Sequence, residues 1–135
     1  MAFFSLLVSA ANADPAVLSA VNTLRDDAGR ASLVYSDRLQ ALAQLHADDM
    51  ASSGFFSHTG SDGSQLGDRA RRAGYGFCFI AENIAKGQRT ASEALQGWLD
   101  SRGHRRNMLD RRATEMGLAR APGAIWVMVL GRPGC

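Results

Sequence analysis

Two histidines and a glutamate stand in short polar islands among bulky apolar residues: Phe55-Phe56-Ser57-His58, Ala81-Glu82-Asn83-Ile84-Ala85 and Trp98-Leu99-Asp100-Ser101-Arg102-Gly103-His104. Neutral imidazoles and carboxylates are good ligands for zinc, and an open position on such a metal activates water. His58, His104 and Glu82 would supply three ligands to zinc or another divalent cation. The same groups would equally form a hydrogen-bonded network joining three loops, because a buried carboxylate needs partners in either case. Hydrolysis asks for more: a nucleophile with a base in reach and an oxyanion site opposite. Ser57 adjoins His58, but neighbours on an extended segment point apart. No GxSxG, HExxH or catalytic-cysteine pattern occurs. A binding cleft is therefore favoured over an enzyme.

The elements that would carry these residues follow from periodicity and capping. Asp14-Pro15 starts a helix with Val17, Leu18, Val21, Leu24 and Ala28 on one face, closed by Gly29. Ser36 or Asp37 caps a second helix whose stripe is Leu39, Leu42, Ala43, His46 and Met50, stopping at Gly54. A histidine in such a stripe reads as a hydrogen-bonded core residue rather than a ligand. Ser64 caps a short helix through Leu66, Ala70 and Ala73, and Glu82-Asn83-Ile84-Ala85 follows as a loop or strand edge. Thr90-Ala91-Ser92-Glu93 matches a capping box, making Glu93 a cap. The helix it opens is expected to stop near Gly103, with His104 just past its end. Glu115–Ala119 and Ala124–Leu130 bracket the Pro122-Gly123 turn, and the almost wholly apolar second run reads as a central strand covered on both faces. Helices first and strands late predict an α+β domain.

A chain of 135 residues, 46% hydrophobic and 21% charged, is a soluble globular composition with room for one core. A net charge of +2 gives no case for nucleic acid. The start, with a short apolar run and Ala11-Asn12-Ala13, reads as a signal peptide over residues 1–13, so the mature single domain would be 14–135. That run is too short to span a bilayer, which takes about 20 apolar residues. Export would allow Cys78 and Cys135 to form a disulfide.

Phe56-Ser57-His58, Glu82-Asn83-Ile84-Ala85, Trp98, the run Ser101-x-Gly103-His104-Arg105-x-Asn107-Met108-Leu109, and Glu115-Met116-Gly117-Leu118 occur in one order. Together this series resembles the CAP superfamily of cysteine-rich secretory, antigen-5 and pathogenesis-related proteins (SCP domains), in its small bacterial secreted form. The resemblance covers about Val17 to Leu130 and implies a three-layer α-β-α sandwich. It further implies a cleft with two histidines and two acidic residues: His58, His104, Glu82 and a fourth for which Glu115 is favoured over Asp62. Ser57, Asn83 and Asn107 would support the cleft, the asparagines through side-chain to backbone hydrogen bonds. Ala81 stands where the family usually has glycine, and the aromatic-Thr-Gln run of eukaryotic members is replaced by Arg105-Arg106.

The expected protein is a secreted monomer binding a lipid, sterol-like or peptide ligand. Phe55, Phe56, Tyr75, Phe77 and Trp98 would line the cleft if they are not simply core. Two alternatives remain: a metal-dependent hydrolase using the same residues, and a cell-envelope protein whose basic face comprises Arg69, Arg71, Arg72, Arg102, Arg105, Arg106, Arg111 and Arg112.

Overall fold

A computed structural model describes residues 14–135, so the expected leader over 1–13 lies outside the described residues. In chain order the elements are α1 (Pro15–Asp27), β1 (Val34–Tyr35), α2 (Asp37–Ser53), α3 (Leu66–Arg72), β2 (Phe77–Lys86), α4 (Ala91–Leu99), α5 (Arg102–Met108), β3 (Glu115–Ala121) and β4 (Ile125–Pro133). The four strands form one sheet in the order β1-β3-β4-β2. Only the β1–β3 pair is parallel; β4 runs antiparallel to both of its neighbours.

The pleat of β4 divides the core in two. Trp126, Met128 and Leu130 face one side, where Val17 and Val21 of α1, Leu95 and Trp98 of α4, and Met108 of α5 cover them. Ile125, Val127 and Val129 face the other, under Leu39, Leu42, Ala43 and Met50 of α2 and Ala70 of α3. Both faces of the strand are thus dry, as its unbroken apolar run requires. The result is the α-β-α sandwich.

Capping chemistry sets most helix ends. The Asp14 carboxylate accepts the Ala16 and Val17 amides, and Ser36 accepts the Leu39 amide. Gly54 closes α2 in the left-handed region at φ 69°. Two ends differ from the expectation. The N-cap of α3 is Gln65 rather than Ser64, with the Gln65 amide held by the Asp68 carboxylate at 2.9 Å. The helix expected to run to Gly103 ends at Leu99, because Ser101 is extended (φ −109°, ψ 122°) and starts α5. Gly103 and His104 lie in the first turn of that new helix, not beyond the end of the old one.

Helix α5 is anchored from below. The buried Arg25 of α1 donates from Nη1 to the carbonyls of Met108 and Asp110, both at 2.9 Å. Its Nη2 reaches Ala113 O at 3.1 Å and its Nε reaches Ala31 O at 2.8 Å. These are carbonyls that a helix end and the following turn leave without intrahelical partners. Lysine cannot reproduce this planar fork. Arg25→Lys is expected to cost about 2 kcal/mol, the order of one charged hydrogen bond lost from a buried set. Thermal unfolding would read this as a fall in Tm of roughly 6–8 °C. An unchanged Tm would show that the fork is not needed.

Cys78 and Cys135 are joined, with Cα atoms 4.9 Å apart across 57 residues of chain. The bridge ties the C-terminal end to the start of β2. In the chain-entropy picture a loop of that length is worth about 4 kcal/mol.

Candidate functional site

Strand β2 distributes the site over both faces of the sheet. Glu82 shares its face with Ile80 and Ile84, toward α2 and α3, while Asn83 and Ala85 face α4 and α5. The alternation is the ordinary period of two. The segment expected as a loop or strand edge is therefore the middle of a ten-residue strand.

Glu82 is buried, with its side chain 2% exposed, and both carboxylate oxygens are engaged. Oε1 accepts His58 Nδ1–H at 2.9 Å, and Oε2 accepts Arg69 Nη2–H at 3.0 Å. The other terminal nitrogen of Arg69 donates to the carbonyls of His58 and Ser64 at 2.9 and 3.0 Å. One guanidinium thus fixes both the carboxylate and the backbone of the histidine that the carboxylate holds. The buried His46 of α2 completes the cluster, its Nε2 donating to Ser57 O at 2.8 Å and lying 3.7 Å from Glu82 Oε1.

The Nδ1 bond leaves Nε2 as the outward nitrogen of His58, on a side chain that is 55% exposed. The Glu82 hydrogen bond raises the His58 pKa above the ordinary imidazole value; burial and the Arg69 charge oppose it, while the Glu82 charge reinforces it. His104 is half-buried on α5, and its pKa is lowered by burial and then by the charge of His58. Asn83 positions it by donating to His104 O at 3.1 Å and accepting from Asn107 Nδ2 at 2.8 Å. The two imidazoles are thus driven apart. Between their values His58 is a cation and hydrogen-bond donor while His104 is neutral.

Not every expected residue joins this cluster. Glu115 accepts the Tyr75 hydroxyl at 2.7 Å, in the row Ile80–Gly131–Glu115 and not in the row of Glu82. Burial and that bond push the Tyr75 phenol up. Asp62 pairs with Arg72 at 2.5 Å and accepts the Ser64 amide. Among the described residues neither acid is hydrogen-bonded or ion-paired to His58, Glu82 or His104. Ser57 Oγ accepts the Thr59 amide at 3.1 Å, a turn contact.

The aromatics do not gather in one cleft. Trp98 lies in the core on the far face, its indole N–H on Ile84 O at 3.0 Å, and Tyr75 is buried against Glu115. Phe55 and Phe77 pack at the edge of the α2 core, which leaves Phe56 as the exposed one of the five, two residues before His58 in the chain.

Glu82 does not fit the role of a metal ligand. Its oxygens are taken by a guanidinium and an imidazole, so it orients His58 instead. Among the described residues no three His, Cys, Asp or Glu side chains are grouped to hold a metal ion. Arg69 is the partner that the sequence reading placed on a solvated basic face. The available signal was its place on the apolar side of α3, three residues after Leu66 and four before Ala73.

No helix among the described residues is long and apolar enough to cross a membrane. The chain is 31% identical over 111 residues to the YkwD protein of Bacillus subtilis, covering 82% of this chain and 43% of that one. It therefore spans less than half of that relative's length. Its fold superposes with a TM-score of 0.82 on an extracellular SCP-domain protein of Bacillus anthracis, at 31% identity over 87% of this chain and 39% of that one. An outer surface protein of Borrelia burgdorferi shares the fold at TM-score 0.81 and 20% identity, covering 88% of this chain and 91% of the other. The model of the cysteine-rich secretory protein family, CAP, matches residues 18–130. The chain belongs to the CAP family.

Proposed function

We propose that this is a secreted CAP domain that binds a small hydrophobic or peptide ligand, whose polar group is met by His58 and His104. The observation that carries the reading is the clamp on His58. A buried carboxylate and a guanidinium hold a half-exposed imidazole in one orientation, with its outer nitrogen directed away from the protein. Such support is what a recognition group needs, since preorganisation removes the cost of ordering it at binding. Phe56, 46% exposed and two residues before His58 in the chain, offers apolar surface. Secretion is supported by the Ala11-Asn12-Ala13 pattern, the disulfide, and the extracellular or surface designation of the two similar structures.

The test is fluorescence titration with a dansylated fatty acid and with dansylated hydrophobic tripeptides, at a pH between the two imidazole values. His58→Ala is expected to weaken binding of the preferred probe about tenfold, the size of one charge-assisted hydrogen bond. Its thermal stability should fall by the order of one hydrogen bond lost from the buried Glu82 carboxylate, whose bond to Arg69 remains. Equal affinity in wild type and variant for every bound probe would end the proposal.

A second reading is hydrolysis, favoured by one observation. Two neighbouring imidazoles of opposed pKa shift are the arrangement in which one acts as acid and the other as base. Turnover of any ester or peptide that is lost in His58→Ala and His104→Ala would support it over simple binding. The zinc-dependent form of this reading would have to rest on the two imidazoles without Glu82. Envelope attachment through exposed Arg105, Arg106 and Arg111 would instead appear as release by salt, since exposed charges are screened.

A further inference from the structure

The turn after α1 and the C-terminal part of α5 border a recess of about 470 Å³, walled by Arg30, Arg106, Leu109, Asp110, Arg111 and Arg112. His58, Glu82 and His104 are not among its walls, so it is separate from the cleft described above. Four guanidinium groups share it with one carboxylate, and that carboxylate is already engaged. Asp110 accepts Arg112 Nε–H and Nη2–H at 3.0 and 2.9 Å. Arg30, Arg106 and Arg111 have no acidic partner among the described residues.

Two of the four arginines are anchored. Arg30 donates from Nε to Leu109 O at 2.8 Å and from Nη1 to Ala28 O at 2.7 Å. Arg112 is held by Asp110 and lies over the Phe79 ring, 4.4 Å from its centroid. Each keeps one terminal nitrogen without a hydrogen bond among the described residues, Nη2 of Arg30 and Nη1 of Arg112. Arg106 and Arg111 are exposed and make no hydrogen bond, ion pair or ring contact among the described residues. The carbonyls at the end of α5, which would attract a cation, are taken as well. Arg30 holds Leu109 O, and Arg25 holds Met108 O and Asp110 O. Like charges gathered at one recess repel one another until an anion joins them.

Valence narrows the choice of anion. A carboxylate or a phosphodiester brings one charge to the three arginines that lack an acid, whereas a phosphomonoester brings about two at neutral pH. Phosphate oxygens also match the planar guanidinium fork in pairs. We propose that this recess binds a polyvalent phosphate: a phosphomonoester or diphosphate group, carried on a small molecule or at the end of a larger one. Arg30 and Arg112 supply the fixed donors, and Arg106 and Arg111 close on the bound group. The site does not rest on the cleft reading. It also differs from attachment through a basic face, which follows net charge alone.

Nitrogen-15 NMR titration of the protein tests it, reading the Arg30 and Arg112 Nε–H signals and the backbone amides from Arg106 to Arg112. The probes are pyrophosphate, methyl phosphate, dimethyl phosphate and acetate, at neutral pH and one ionic strength, since salt screens exposed charges. Pyrophosphate and methyl phosphate are expected to shift these signals saturably. Dimethyl phosphate and acetate, with one charge each, are expected to bind at least about tenfold more weakly. The double variant Arg106→Gln/Arg111→Gln alters only exposed side chains, so it should keep the wild-type Tm and weaken pyrophosphate about tenfold. Arg102→Gln/Arg105→Gln removes the same charge from α5 outside the recess and should change the affinity by less than about twofold. No saturable shift with any probe, equal affinity for methyl and dimethyl phosphate, or equal losses in the two double variants would overturn the site. A shift confined to the rings of His58 and His104 would place the anion in the cleft. That result would overturn the recess while leaving the cleft reading in place.

Discussion

Glu82→Ala is expected to destabilise the fold by about 3–5 kcal/mol, the range for breaking a buried ion pair from one side. The removed carboxylate is 2% exposed and bonds Arg69 and His58 at 3.0 and 2.9 Å. Arg69 would remain charged and nine-tenths buried, facing a cavity where its counter-ion had been. Its bonds to His58 O and Ser64 O would persist, which keeps the loss from reaching higher. His58 would lose the group that raises its pKa and fixes its ring. Chemical denaturation gives the stability, with the midpoint expected to fall at constant slope. Glu82 and Arg69 should also be coupled. Adding Arg69→Ala to Glu82→Ala should cost less than the sum of the two by about 1–3 kcal/mol. Additive losses would show that the two side chains act independently.

Gly117→Ala carries the second large effect, for a reason of space alone. A Cβ at Gly117 would lie 2.4 Å from the carbonyl carbon of Leu39 and from the amide nitrogen of Gln40. Both are backbone atoms of α2, so no side-chain rotation relieves the contact. Helix α2 sits this close to β3 because Gln40 makes a two-way bond to Leu118, accepting its amide at 2.8 Å and donating to its carbonyl. One methyl group must push the helix off the strand and open the core around Leu39 and Val129. The expected cost is about 3 kcal/mol or more, at the upper end for an overpacked core. A variant with wild-type midpoint would mean that α2 does not dock at this separation.

The architecture was legible because its signals are local. Asp14-Pro15, the Leu39–Met50 stripe ending at Gly54, and the apolar run around Val127 each specify one element through capping or periodicity. The alternation of β4 between two cores was implicit in that run, since a strand apolar on both faces needs two covering layers. His58 and Glu82 were legible as candidate site residues, and the two side chains do meet. Their relation was not. Whether a carboxylate ligates, catalyses or orients depends on partners from other elements, and Arg69 is thirteen residues from Glu82, on helix α3 rather than on β2. His46 was read correctly as a buried, hydrogen-bonded residue, but its place beside Glu82 follows only from how α2 crosses the sheet. Gly103 misled because glycine commonly ends helices, whereas here the extended backbone of Ser101 makes the break. Glu115 lies two register rows from Glu82, and no spacing in sequence tells these rows apart.

The shifts of the two imidazoles also fix the sign of their pH effects. His58, raised in the fold, contributes stability below the ordinary imidazole value, and this is lost as pH rises through its folded value. His104, lowered in the fold, contributes in the opposite sense, above the ordinary value, and its share is lost as pH falls through its folded value. The central claim is that Glu82 holds His58 by Nδ1 and keeps it charged where His104 is neutral. Nitrogen-15 NMR titration of both imidazoles, in the wild type and in Glu82→Gln, tests this most directly. The expected result is that His58 titrates above His104, with its proton on Nδ1 in the neutral form, and that Glu82→Gln lowers the His58 value. A wild-type His58 that titrates at or below His104, or that is unmoved by Glu82→Gln, would contradict it.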